Sequence, residues 1–500
     1  MRLSKSKYLS GSQCPLRLWQ DCHARGRGTP PDASTLGRFR QGREVGELAR
    51  QRWIGGQLVS APASATQAAL TQTAKYMADE DVPAVFEAAF VHQDVLVRVD
   101  VLERAQDENE GSGWNLVEVK SSTSLKAVYV EDVALQAWVV SGAGVSLRDA
   151  GVLVLNRDYV FDGEQLDLSA LFAWRECTDD TQARSTEITR AVPTLHAVVA
   201  DEKAPDIEPG GQCLVPYPCP YFDYCTRDWV FPAHPITELP NLHRTRREAL
   251  EAQGVSEIAE IPAGFDLSDL QSRVWACVRT QSEWVSPELA DTLALDGPYI
   301  HFLDFETFAP AIPRYKGTRP YQAIPFQFSV HTQGPDGIRH REYLHDEDND
   351  PRAPLAQALL DALSEAGTIV MYSSYERRVI RELAAFLPDL GGALTALVPR
   401  LWDLLGVIRQ HYYHPGFLGS FSIKRVVPVL VPDLDYSELS ISDGEAAARA
   451  YAGLLAASTP EERVAIANDL REYCGQDSWA MLALRRALLE RSRTGENQDA

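Results

Sequence analysis

The chain has no run of about 18 consecutive apolar residues, so no segment is expected to cross a membrane. Its first residues, Met1-Arg2-Leu3-Ser4-Lys5-Ser6-Lys7, are basic, but neither an apolar core nor a cleavage signal follows them. A cytoplasmic protein is expected. Positive charge is scarce: 48 Lys and Arg stand against 70 Asp and Glu, a formal net charge of −22. That balance excludes a protein that coats nucleic acid through bulk charge. The scarcity is uneven, because residues 1–55 hold eleven Lys or Arg against four Asp or Glu. A basic face on an acidic body can touch phosphates locally, although a merely solvated surface has the same composition. None of the eight cysteines sits in a Cys-x-x-Cys pair, and disulfides are not expected in a cytoplasmic chain. No internal repeat is visible. What is there is 500 residues with 45% hydrophobic content, enough for two or three domains with a core in each.

The stretch His301-Phe302-Leu303-Asp304-Phe305-Glu306-Thr307 carries the most chemistry. It follows Pro298 and reads as a buried strand over Tyr299 to Phe305. Side chains alternate along a strand, so Asp304 and Glu306 share one face. Two carboxylates on a buried face repel each other and lose hydration unless a cation lies between them. Their hard oxygens suit Mg²⁺ or Mn²⁺. The competing reading is a strand end at which both acids reach water. A second buried strand, Gly367 to Tyr372, runs through Ser373-Ser374 into a helix opening Tyr375-Glu376-Arg377-Arg378, which puts Glu376 at a strand-to-helix turn. A late helix over 469–481 sets Tyr473 and Asp477 four apart on one face. Asp403 is a reserve candidate for a further acid near the site.

Acid-x-acid on a strand, an acid at a helix start and Tyr-x-x-x-Asp on a late helix together resemble the DEDDy exonucleases of the RNase H-like fold. The likeness covers about residues 293–492. The family usually has Asp where Glu376 stands and Asn where Ser373 stands. The resemblance implies 3′→5′ removal of nucleotides by two metal ions. Asp304, Glu306, Glu376 and Asp477 would hold the ions, and Tyr473 would help place the attacking water.

Early in the chain, Tyr8-Leu9-Ser10-Gly11-Ser12 reads as a Ser-rich turn leading into a helix with Pro15 near its first position. Helices are expected over 36–53 and Thr66 to Met77. Strands are expected over Val85 to Val91, Val95 to Leu102 and Trp114 to Lys120, with a polar tip from Gln106 to Gly113. Asp100 lies on one strand and Glu118-Val119-Lys120 on its partner, with Glu118 and Lys120 facing the same way. An acid pair can bind one divalent ion, and a neighbouring lysine can orient water or steady a phosphate. A salt-bridged hairpin would use the same residues. The next helix, over 131–138, carries Gln136. With Glu87 ahead of it, this order resembles the RecB-type branch of the PD-(D/E)xK nucleases. That likeness implies Asp100 and Glu118 as metal ligands, with Lys120 and Gln136 completing the catalytic set. Val140 stands where the family usually has Tyr, and Gly46-Glu47 where relatives carry a His.

Cys213, Cys219 and Cys225 recur at equal spacing on a loop broken by Pro216, Pro218 and Pro220. Thiolates on so stiff a loop can converge on one centre. Three local cysteines plus a lone early one resemble the layout of iron–sulfur RecB-type nucleases. The resemblance implies a 4Fe–4S cluster on Cys14, Cys213, Cys219 and Cys225 that ties the N-terminus to the end of the domain. The alternative is a Cys₄ zinc site, which usually favours Cys-x-x-Cys pairs. Cys22, Cys177, Cys277 and Cys474 are isolated and read as packing residues.

Residues 231–292 look helical. The basic helix from His243 to Leu250, a turn at Gly254 and a short second helix suggest a helix-hairpin-helix, a plain connecting module being the other reading. Gly419 to Val427 opens a helix whose start and Lys424 either meet substrate phosphates or only pack. The sequence thus predicts an α/β protein in four parts. Residues 1–230 form a PD-(D/E)xK restriction-endonuclease-like domain with an iron–sulfur clasp, and 231–292 a helical connector. Residues 293–492 form an RNase H-like DEDDy exonuclease domain, and 493–500 a disordered tail. The whole layout resembles bacterial RecB-like nucleases of this two-part form. It implies a nuclease on single-stranded DNA ends with Mg²⁺ or Mn²⁺ at two active sites, serving DNA repair or defence, with no membrane partner. A ribonuclease using only the C-terminal site, and a nucleic-acid-binding protein without catalysis, are the alternatives.

Overall fold

The computed structural model describes residues 2–105 and 113–495. The chain is mixed α/β and divides into two compact units, Met1–Trp229 with Pro310–Gln322, and Val230–Ala309 with Ala323–Ala500.

The first unit is built on a seven-stranded sheet. Val95, Val97, Val99 and Val101 alternate with the less buried Leu96, Arg98 and Asp100 along the strand Val95–Ala105 and are buried, the period that fixes one face of a sheet. Ala84–His92 and Gly113–Lys120 flank that strand antiparallel, and Leu147–Leu155 pairs with the latter in parallel. A parallel neighbour needs a crossover, and the helix Ala127–Gly142 supplies it, burying Val133, Leu135 and Val139. Leu3–Ser4 adds a short parallel partner to Val95–Leu96. The Ser4 hydroxyl then accepts the Lys7 N–H at 3.3 Å and starts a helix, Lys5–Gln13.

The expected Ser-rich turn over Tyr8 to Ser12 is therefore helical. Gly11 serves close packing rather than a turn, since a Cβ there would stand 2.7 Å from Leu195 Cδ2. Cys14, extended at φ −161°, separates this helix from Pro15–His23. Asp32 caps the next helix by accepting the Thr35 N–H at 2.7 Å, so it spans Ala33–Arg50 rather than 36–53. Of the expected polar tip, residues 106–112 lie outside the described residues, and Gly113 opens a strand.

The second unit holds a five-stranded sheet in the order Gly337–Leu344, Ile324–Gly334, Ile300–Phe308, Thr368–Met371, Leu401–Asp403. Its first three strands are antiparallel and its last two join in parallel. The helix Arg352–Ala362 makes the crossover. Residues 231–292 contribute Ile236, Leu250, Val274 and Leu289 to the same core as Phe302, Leu404 and Tyr412. There the helix Arg244–Glu251 is followed by Gly254 at φ +77° and a single turn, Ile258–Glu260. The last helix, Pro460–Gly495, runs for 36 residues because Leu470, Tyr473, Ala480, Leu484 and Leu488 keep one face buried. Residues 493–495 continue this helix instead of opening a disordered tail, and 496–500 lie outside the described residues.

Candidate functional site

In the second unit, Asp304 and Glu306 lie opposite Ser329 and Gln327 on the adjoining strand. The Gln327 amide donates to the Leu470 carbonyl at 2.9 Å and fastens the last helix to the sheet. That contact brings Tyr473, Cys474 and Asp477 onto the acid pair. Ligand atoms of Asp304, Glu306 and Cys474 lie within 4.8 Å of one another. The Cys474 thiol, read as a packing residue, donates to Asp304 Oδ2 at 3.5 Å. Glu376 is the second residue of the helix Tyr375–Phe386, where the Ser373 hydroxyl accepts the Tyr375 N–H at 3.1 Å.

Glu306, Glu376 and Asp477 are buried and Asp304 is half-buried. Burial, then the charges of Asp477, Glu306 and Glu376, push the Asp304 carboxyl well above the usual range. Burial and Asp477 do the same to Glu306, against the opposing ammonium of Lys424. Burial also raises Asp477, with Tyr436, Lys424 and Tyr473 working the other way. Glu376 is pushed up to about 7, mainly by burial, and its Oε2 has no hydrogen-bond partner. A buried acceptor left unpaired is costly, and a cation or water satisfies it. Asp304, Glu376 and Asp477 line a cleft of about 830 Å³ together with Tyr372, Arg409 and Ser422. Gly419, at φ +73°, also lines it, and a Cβ there would fall 1.7 Å from the Glu238 carbonyl oxygen. Asp403 is spent as a helix cap on the Gly406 N–H at 3.1 Å, although its charge reaches Glu376.

Sequence reasoning missed Tyr436, whose hydroxyl donates to Asp477 Oδ1 at 2.7 Å. It left Lys424 open between a phosphate contact and a packing role. In the structure that ammonium donates to the Tyr473 hydroxyl at 3.0 Å and to the Ser442 carbonyl. Neither contact leaves a local signal, because the partners are 41 and 49 residues apart.

The acid site carries a pH signature. Glu376 binds its proton more tightly when folded, about 7 against an ordinary 4.5. Stability is therefore fully present below the ordinary value, falls as pH rises through that window, and is lost above the raised value. In EDTA, Glu376→Gln is expected to shrink the fall in unfolding free energy between about pH 5 and about pH 8 by ~2–3 kcal/mol. Urea melts at the two pH values measure it, and equal slopes in wild type and variant would remove Glu376 from the cluster.

In the first unit, Asp100 accepts the Val119 N–H at 2.8 Å, and the Gln136 amide donates to Glu118 Oε2 at 2.7 Å. Lys120 Nζ reaches Glu118 Oε1 and Asp132 Oδ2, both at 2.6 Å. The structure therefore gathers Asp100, Glu118, Lys120 and Gln136, and it adds Asp132, one helical turn before Gln136, and Lys5. Burial, then Glu118, raises Asp100 to about 7. Burial would raise Glu118 too, but the ammoniums of Lys120 and Lys5 outweigh it and hold the carboxyl below its usual range. Glu87 sits in a left-handed conformation, φ +55°, where the pairing of Phe86 with Val101 and Ala88 with Val99 skips a step. Its carboxylate accepts from Arg50 at 2.6 Å.

Cys14, Cys213, Cys219 and Cys225 line one small cavity beside Arg17, all as free thiols. The Gln13 amide donates to the Gln212 and Tyr217 carbonyls at 2.7 and 2.8 Å, and the Tyr221 hydroxyl to Asp21 at 2.7 Å. These bonds hold the early helices against the cysteine loop. Burial raises the Cys219 and Cys225 thiols, and the charges of the other cysteines add to it.

Residues 301–422 match a family described as a domain of unknown function (DUF2779). Asp304, Glu306 and Glu376 fall inside the match, and Tyr436, Tyr473 and Asp477 beyond it. No curated protein matches the chain.

Proposed function

We propose that the chain is a metal-dependent nuclease that trims single-stranded DNA from the 3′ end at the carboxylate site of its second unit. The observation that carries this reading is the gathering of Asp304, Glu306, Glu376 and Asp477 at one site, all four raised by burial and Asp304 and Glu306 also by neighbouring carboxylates, with an unpaired Glu376 oxygen left over. An all-carboxylate oxygen set of this kind fits Mg²⁺ or Mn²⁺, and those four residues would hold it. Such an ion supplies Lewis acidity at a phosphate and an activated water. The chain's own groups do the rest. Tyr473, its oxygen held by Lys424, places the attacking water, and Tyr436 fixes Asp477. Arg409 offers a cation to the strand's backbone, while Tyr372 and Phe421 give the cleft aromatic walls. This set resembles that of a DEDDy exonuclease of the RNase H-like fold, with Glu376 where the family usually has Asp.

The first unit is read as a second nuclease site of the PD-(D/E)xK type on Asp100, Glu118, Lys120 and Gln136. Four free thiols from both ends of that unit on one cavity fit an iron–sulfur centre as ligands. A 4Fe–4S cluster there would act as a structural clasp. Cytoplasmic DNA repair or defence against foreign DNA is the setting that suits such an enzyme.

The test uses 5′-labelled single strands of DNA and RNA with one sequence, incubated with Mn²⁺ or with EDTA. The expected result is a ladder shortening from the 3′ end on DNA and none in EDTA. Degradation of RNA alone would make the protein a ribonuclease. Binding without turnover under any divalent ion would make it a binding protein.

A further inference from the structure

Lys5 opens the helix Lys5–Gln13, and nothing in its sequence context marks it for chemistry. Its ammonium nevertheless lies inside the acid site of the first unit, 2.9 Å from Glu118 Oε1 and 3.2 Å from Asp132 Oδ1. Lys120 takes the same Glu118 oxygen and the other oxygen of Asp132. Two ammoniums therefore bridge two carboxylates that are 2% and 8% exposed. The backbone that carries Lys5 is held in place. Leu3–Ser4 is paired to Val95–Leu96, and Ser4 caps the helix on which Lys5 stands. An independent sign that this seat takes cations is Gln136. It is fully buried, its amide nitrogen is held by Glu118, and its Oε1 has no hydrogen-bond partner. Such an acceptor asks for a cation or a water.

We propose that Lys5 is a built-in counter-cation, occupying between Glu118 and Asp132 the seat that a divalent ion needs, so that Mn²⁺ or Mg²⁺ enters this site only in competition with it. The inference rests on reading the first unit as a metal site. Its physical basis is simple repulsion: an ammonium about 3 Å from both carboxylates repels any incoming divalent ion and already supplies much of the neutralisation it would bring. A single-stranded substrate gives Lys5 another anion to meet. A phosphate beside the site draws the ammonium off Glu118 and leaves Lys5 next to Lys120 as a second phosphate contact.

The full-length chain carrying Asp304→Asn and Asp477→Asn, which silences the other acid site, is titrated with Mn²⁺ while free Mn²⁺ is followed by electron paramagnetic resonance. Adding Lys5→Met is expected to tighten one Mn²⁺ site about tenfold or more. Adding Glu118→Gln to that variant is expected to abolish the gain. Lys5→Gln, which keeps a polar side chain, repeats the measurement if the methionine variant does not fold. Unchanged or weaker Mn²⁺ binding in the folded Lys5 variant overturns the proposal. The readout needs no turnover, so its outcome is separate from that of the strand-cutting assay. Tighter binding in a protein that cuts nothing would sustain the role of Lys5 and remove the nuclease reading.

Discussion

Asp304→Asn is expected to reduce 3′ trimming of a 5′-labelled single strand by about a thousandfold or more, ~4 kcal/mol of transition-state stabilisation. The substitution keeps the shape of the side chain and removes one charge from the centre of the acid group. Asp304 is the residue on which Asp477, Glu306 and Glu376 all act. Its ionised form is therefore disfavoured by its neighbours and needs a cation. A second consequence follows with the opposite sign. Burial and like charge make an ionised Asp304 unfavourable in the folded protein, so the neutral variant in EDTA at neutral pH should melt no lower than wild type. Loss of activity with retained or higher thermal stability separates a role at the site from misfolding. An unchanged ladder would sink the assignment of the second unit's site.

Cys14→Ser and Cys219→Ser are each expected to remove the visible absorption of anaerobically purified protein. They should also lower the melting temperature of the first unit by roughly 10–20 °C, on the order of 5 kcal/mol. The reason lies in how little else holds the cysteine loop. Between Cys213 and Cys225 there is only a single helical turn, and Leu214, Val215 and Tyr217 are all exposed. Tyr221 is the main buried anchor, at 2% exposure. Cys14, by contrast, sits at the junction of two helices near the other end of the unit. A centre shared between them joins segments about 200 residues apart, and its binding free energy is folding free energy. Limited proteolysis should cut the variants within the loop first. A colourless wild type rich in zinc would replace the iron–sulfur centre by zinc. Full stability in both variants would remove the clasp altogether.

Much of the acid site was legible because it follows local periodicities. Asp304 and Glu306 share a face by the two-residue repeat of a strand, and Tyr473 and Asp477 by the four-residue repeat of a helix. The core strands were legible from alternation of the kind Val95, Val97, Val99 and Val101 display. The turn expected before Pro15 was not a turn, since Gly11 meets the chain's need for close packing against a helix that begins far downstream, Thr178–Ala200. Asp132 had a local signal, its one-turn spacing from Gln136. Lys5 had none, because its partners are 113 and 127 residues away.

The sequence by itself determined which residues bear charge, which faces of strands and helices they occupy, and hence that acids would collect on buried surfaces. Only the tertiary structure decided what each acid meets: Tyr436 on Asp477, Cys474 on Asp304, and Lys5 on Glu118 and Asp132. The physical reason is that periodicity is a property of one element. The neighbour that neutralises or satisfies a buried carboxylate arrives from another element, placed there by packing over the whole unit.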